Sequence, residues 1–186
     1  YLPSPNDKIA TLSRIGLVYE LQLCDETSAI SSYERILKLD PTNMYAIKKL
    51  EFIYKKTRNI SAYYDLTLRT NPFIASPLKR ARRLYLVALK FVTIQGDYNQ
   101  AIEVLEKAME ITNDFSQGSH LLCLCYLVTH QFEKMLKHLH AAANHAKMQE
   151  TKSECAYALA SIYVWILDQY ADAVHPLELA IALRPK

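Results

Sequence analysis

Apolar side chains return at intervals of three and four along the whole chain, the spacing that gathers them on one face of an α-helix. Polar turns interrupt the pattern, and the stretches it predicts to be helical are 7–23, 26–39, 43–57, 60–70, 77–95, 98–112, 116–129, 132–145, 150–167 and 170–183. Asn6 or Asp7 offers a side-chain oxygen to cap the first of them. Asp40-Pro41 and Asn71-Pro72 end helices, because a proline disfavours helical backbone at the residue before it, and Arg184-Pro185 is expected to do the same at the end of the chain. Pro77 starts a helix, where its missing N–H costs nothing. Pro176 is expected near the start of the last helix on the same ground; deeper inside, it would kink that helix. No stretch alternates apolar and polar residues as a strand would.

A phrase repeats within this pattern. An aliphatic residue, usually a small residue, two spacers and an aromatic recur as Ile15-Gly16-x-x-Tyr19, Leu50-Glu51-x-x-Tyr54, Val87-Ala88-x-x-Phe91, Leu122-Cys123-x-x-Tyr126 and Leu159-Ala160-x-x-Tyr163. Their second members stand 35, 37, 35 and 37 residues apart, a period that denotes stacked supersecondary units. Each phrase is followed by a second half, such as Ala29-x-x-x-Tyr33-x-x-Ile36 or Ala101-x-x-x-Leu105-x-x-Ala108. A small side chain in the first helix lets the second approach closely, and Gly16, Ala88, Cys123 and Ala160 are expected to be buried at those crossings. Glu51 in a small-residue slot and a shortened second half predict lower packing density in the second unit. The first, third and fifth units carry one extra residue before the second helix, and an insertion near Phe73–Pro77 loosens the register between units two and three.

Small residue to aromatic in the first helix, Gly96-Asp97-Tyr98 in the turn, alanine opening the second helix and proline closing it resemble the tetratricopeptide repeat. The resemblance spans nearly the whole chain. It implies an all-α solenoid of αα-hairpins, a right-handed superhelix of five helix pairs forming one array over 1–186, with units near 7–41, 43–72, 77–113, 115–146 and 150–186. It also implies a concave groove lined by first helices. Carried over by spacing, the partner-binding residues are Tyr45, Lys48, Phe52, Lys55, Arg82, Tyr85, His120, Tyr157 and Trp165. A subset of the family grips the C-terminal carboxylate of chaperone peptides with lysines, an arginine and asparagines. No asparagine stands at these groove positions, and Phe52 and Leu89 occupy places where polar contacts would be wanted, which disfavours that ligand.

Composition narrows the function. Hydrophobic residues make up 51%, which argues for a folded chain. No apolar run approaches the ~18 residues of a membrane helix, so no membrane insertion is expected. A first residue other than methionine, with Pro3 and Pro5 close behind, suggests a piece of a longer protein. Free cysteines at 24, 123, 125 and 155 point to an intracellular setting, cytoplasmic or nuclear. Neither they nor His120, His138 and His140 have metal-ligand spacing, and no metal or cofactor is expected. Without a phosphate loop or a nucleophile motif, catalysis is not expected either.

Charge is uneven. Residues 1–93 hold 15 Lys/Arg against 8 Asp/Glu, a balance of +7, while residues 94–186 hold 7 against 11, a balance of −4. Lys79, Arg80, Arg82 and Arg83 form the densest basic patch. The reading that follows is a non-enzymatic scaffold or adaptor within a multiprotein complex. Its partner would be a peptide or subunit, acidic and carrying apolar anchors. The alternative is a nucleic-acid-associated factor whose basic first half touches RNA or DNA phosphates. No recurring polar pair in the groove supplies a base-reading code.

Overall fold

The computed structural model describes residues 4–112, 116–145 and 149–183. Arg184-Pro185 lies outside the described residues. All ten helices expected from the sequence are present: α1 (Pro5–Leu21), α2 (Glu26–Leu39), α3 (Met44–Lys56), α4 (Ile60–Thr70), α5 (Pro77–Lys90), α6 (Tyr98–Ile111), α7 (Ser116–Val128), α8 (Phe132–His145), α9 (Gln149–Trp165) and α10 (Tyr170–Leu183). A 3-10 turn, Asn71–Phe73, follows α4, and a π-helical turn, Phe91–Gln95, ends α5. Among the described residues no strand occurs. This is the all-α helical-repeat architecture that the period implies.

Two compact units divide the chain, Tyr1–Ser76 and Pro77–Lys186, and the break falls at the insertion that interrupts the repeat. In the first unit α1 packs on α2, α2 on α3 and α3 on α4. In the second, every helix from α5 to α10 packs on the next, and α5 also meets α7.

Each hairpin turns in the same way. One residue adopts the left-handed conformation between first and second helix: Cys24, Arg58, Gly96, His130 and Asp168, with φ of 51°, 54°, 66°, 57° and 54°. The next residue's N–H then bonds the carbonyl of the repeated aromatic. Asp25 donates to Tyr19, Asn59 to Tyr54, Asp97 to Phe91, Gln131 to Tyr126 and Gln169 to Tyr163, at 2.8–3.2 Å. This closure satisfies carbonyls that a helix end leaves open. It spans one more residue in the first, third and fifth hairpins, which is where the extra residue goes. Leu23 and Leu167 donate five residues back, to Val18 and Ile162, and the third hairpin widens into its π turn.

Caps start the helices that follow. Asp25, Asn43, Asn59 and Asp97 accept from the backbone N–H of Ser28, Ala46, Ala62 and Gln100. The first helix differs from expectation. Its cap is Ser4, not Asn6 or Asp7, because Pro5 is tolerated at the first helical position. Asp7 then sits three residues after the cap and accepts from the Ser4 N–H at 3.1 Å, completing a capping box. Pro176 is also corrected: α10 runs over the expected residues, Tyr170–Leu183, and the proline stands inside it, where its ring replaces the N–H that would bond the Asp172 carbonyl.

The core follows the repeated phrase. Gly16, Ala88 and Ala160 are buried. A Cβ added to Gly16 would come within 2.7 Å of Tyr33 Cε1, so the glycine is required by the close approach of α2. Cys123 departs from expectation and is only half-buried, whereas Cys125 is fully buried. Cys125 stands in the register of Ile53, on the face turned to the preceding helix, and that face closes completely. In the second hairpin α3 buries Ala46, Ile47, Leu50, Ile53 and Tyr54, and α4 buries Ile60, Tyr63, Leu66, Thr67 and Thr70, but the two helices meet less extensively than those of the first, third and fifth hairpins, in line with the expected lower packing density. Glu51 is accommodated at the edge, 3.7 Å from Lys55.

Candidate functional site

In the first unit the candidate residues share one helix. Tyr45, Lys48, Phe52 and Lys55 are spaced by three, four and three residues along α3, which sets them in one row on the side opposite Leu50 and Ile53. All four are exposed, Phe52 at 58%. The row is anchored from behind. Tyr45 meets the edge of the buried Tyr33 ring at 6.1 Å between centroids. Tyr33 donates to Glu20 Oε2 at 2.9 Å, and the second oxygen of Glu20 accepts from Lys49 at 3.0 Å. Burial, then that carboxylate, drives the Tyr33 hydroxyl pKa far up.

The lysines of α3 are less available than their number implies. Lys49 is paired with Glu20, Lys55 with Glu51, and Lys56 with Glu26 at 2.7 Å. Lys55 also lies over the Tyr63 ring, 4.6 Å from its centroid. Lys48 alone of the four has no ion-pair partner among the described residues. Two of the neutralising partners, Glu20 and Glu26, stand about thirty residues away on other helices, where a count of charges along α3 does not reach.

In the second unit the candidates are spread over three helices. Arg82 is exposed on α5 and Tyr85 half-buried beside it; within the basic patch Lys79 is exposed, while Arg80 and Arg83 are half-buried around the buried Ala81 and Leu84. His120 on α7 and Tyr157 on α9 come together at a pocket of about 590 Å³ that Ser153, Glu154 and Leu183 also line. His120 Nε2 stands 4.0 Å from Glu154 Oε2. Trp165, at the end of α9, is 83% exposed, and Leu124 and Leu127 on α7 are exposed as well.

A recurrent contact that the sequence reading missed joins successive hairpins. The hydroxyl of Tyr54 donates to Glu34 at 3.3 Å, that of Tyr126 to Glu106 at 2.7 Å, and that of Tyr163 meets His140 Nε2 at 3.1 Å. The acceptor sits five residues after the alanine or methionine that opens each second helix. Glu34 also accepts from Nη1 and Nη2 of Arg69, and that pairing, ahead of its other contacts, keeps its carboxyl below the usual range. Burial pushes the Tyr54 hydroxyl up to about 12. The aromatic and the acceptor recur at fixed offsets in the sequence, but only the packing of successive hairpins brings them together.

Ser119 Oγ lies 2.7 Å from His138 Nε2, a pair that could suggest a nucleophile and its base. Glu106, the carboxylate that acts on His138, accepts a hydrogen bond from Tyr126, and burial holds the His138 pKa down. The pair ties α7 to α8 as a packing contact. Burial also raises the Cys123 thiol to about 12 and Cys125 to about 11, which removes thiolate reactivity at neutral pH. Among the described residues no cluster of His, Cys, Asp or Glu could hold a metal ion, and no helix is long and apolar enough to cross a membrane.

The tetratricopeptide repeat family model matches residues 9–43 and 93–115. Among solved structures, a crystal structure of MamA superposes with a TM-score of 0.54 at 18% identity, covering 96% of this chain and 92% of that one. Another MamA crystal structure gives 0.52 at 18% identity, with coverage of 91% and 94%. A MamA fragment from Desulfovibrio magneticus RS-1 gives 0.50 at 16% identity, covering 97% of each chain. At these identities the likeness concerns the fold. The search of curated proteins finds no match. Two segments matching the family model, and that repeat's hairpin fold recurring five times along the chain, together support a tetratricopeptide-repeat protein.

Proposed function

We propose that this protein is a non-enzymatic scaffold or adaptor that holds a partner protein on the exposed faces of its first helices. The observation that carries the reading is the display of large aromatics there. Phe52 and Tyr157 are each 58% exposed and Trp165 83%, whereas Tyr54, Phe91 and Tyr126 on the same class of helix are buried. Exposed aromatics beside charged groups are the side chains most often found at binding hot spots. On α3, Tyr45 and Phe52 would anchor apolar side chains, and Lys48 would meet an acidic group. On α7 and α9, His120, Tyr157 and Trp165 would form the corresponding surface. Arg82 and Tyr85 belong to the same proposal on α5.

The test is capture of binding proteins from native extract by the wild-type chain and by Phe52→Ala and Trp165→Ala variants. Loss of a captured protein in either variant, with helical content unchanged, supports the assignment. Retention in both, with loss in a Lys134→Glu/Lys137→Glu variant on α8, would move the site to the second helices. Binding by phosphate neutralisation would instead fall steeply with added salt.

A further inference from the structure

We infer that the second unit takes the apolar side of an amphipathic helix of the partner, laid across α5, α7 and α9; this rests on the reading that first-helix faces carry the partner. The argument starts from α7. Leu124, Leu127 and Val128 are exposed there, and their spacing of three and four gathers them in one row. Helices α6 and α8 pack against α7, α5 meets it on one side, and His120 reaches Glu154 of α9 on the other. The row is therefore the face that no neighbouring hairpin covers. The repeat continues it on both neighbours: Leu89 of α5 and Val164 of α9, at the places of Leu124 and Leu127, are half-buried, and Trp165 is exposed at the place of Val128.

No charge stands in this band. On α3 of the first unit the places of Leu127 and Val128 are taken by Lys55 and Lys56, whereas α5 has Val92 and Thr93 there and α9 has Val164 and Trp165. Charge returns two turns earlier along the same helices, at the rim. Arg82 on α5 and Glu154 on α9 are both exposed, and Gln117 holds the same place on α7 between them.

The chemistry of the occupant follows from the band and its rim. An extended segment would press its N–H and C=O groups against leucine and valine side chains, which offer them no partner, whereas a helix satisfies those groups within itself. Three neighbouring first helices, about 10 Å apart between axes, make the band roughly 20 Å long. A helix of about 13 residues spans that length. Its apolar stripe would lie on Leu124 and Leu127. A carboxylate at one end would meet Arg82, and a lysine or arginine at the other would meet Glu154. The helix dipole favours the carboxylate at the N-terminal end, so the partner helix runs from α5 towards α9.

Titration with a helix-stabilised synthetic peptide of about 14 residues tests it, the peptide carrying a leucine stripe, glutamate in its first turn and lysine in its last. Trp165 is the chain's one tryptophan, so its emission should move to shorter wavelength as the band is covered. Leu124→Glu or Leu127→Glu should weaken the peptide about tenfold or more. Val128→Glu serves as a further variant, and circular dichroism verifies that each variant is folded. Exchanging the glutamate and lysine of the peptide should weaken it about threefold. Phe52→Ala and Lys134→Glu/Lys137→Glu should leave it unchanged. An unmoved emission, equal affinity for a proline-interrupted peptide, or indifference to the α7 variants would overturn the inference. Failure of the broader reading looks different. A captured native protein lost by Phe52→Ala but kept by Leu124→Glu would uphold the first-helix reading and overturn this one, while release by the α8 variant alone would overturn both.

Discussion

At the scale of single residues, backbone geometry and close approach set the sharpest constraints. Gly16→Ala adds helix propensity of about 1 kcal/mol. Its new Cβ, however, falls 2.7 Å from a Tyr33 ring that is fully buried and tied to Glu20. Overpacking of this kind costs about 1–3 kcal/mol, so the variant should melt below wild type; an unchanged or higher Tm would show that α2 can retreat. The left-handed residues give the opposite sign. Arg58 sits at φ 54° with a Cβ, so Arg58→Gly should stabilise by up to about 1 kcal/mol, read as a higher Tm. His138 links stability to pH. Its folded pKa is held down by burial, so the unfolded chain binds the proton first, near pH 6.5. Stability should fall as pH drops below that value, and a His138→Gln variant should lose less Tm between neutral and mildly acidic buffer. The neutralised lysines show what a sequence hides at this scale: Lys49 and Lys56 look free until Glu20 and Glu26 are brought beside them.

At the scale of helices, most of the architecture is legible in the sequence. Apolar spacing places all ten helices, and Asp25, Asn59 and Asp97 announce where second helices begin. Boundaries fail where two signals compete. Asp7 reads as a cap because it precedes the apolar run, yet Ser4 caps and Asp7 answers it from three residues inside. Pro176 is the seventh residue of α10, nearly two turns in, so reading it as a residue near the helix start misjudges its depth although the bounds of the helix are right. Packing density is harder still to anticipate. Glu51 predicts a loose second hairpin, and α3 and α4 do meet less extensively than the helices of the first, third and fifth hairpins, even though Leu50 and Ile53 fill the core. A thin element that the sequence did not single out is α1, which buries only Leu12 and Gly16 among the described residues. In dilute solution its amides over 5–21 should exchange faster than those over 44–56, since local stability follows buried contacts. Slower exchange in α1 would mean that something covers it.

At the scale of the whole molecule, the period identifies a repeat protein, while partner choice depends on what the repeats display. The sequence places Tyr45, Phe52, Tyr157 and Trp165 on exposed faces because a 3.6-residue period fixes what lies opposite the core. It could not reveal the pocket beside His120 and Tyr157, which requires α7 and α9 to stand side by side. The central claim is that first-helix faces carry the partner. Photo-crosslinking tests it most directly, with a photoreactive residue placed in turn at Phe52, Trp165 and, on α8, Lys134, followed by exposure to native extract. The account expects one protein to crosslink from position 52 or 165 and not from 134. Crosslinking confined to position 134 would contradict it and place the partner on the second helices.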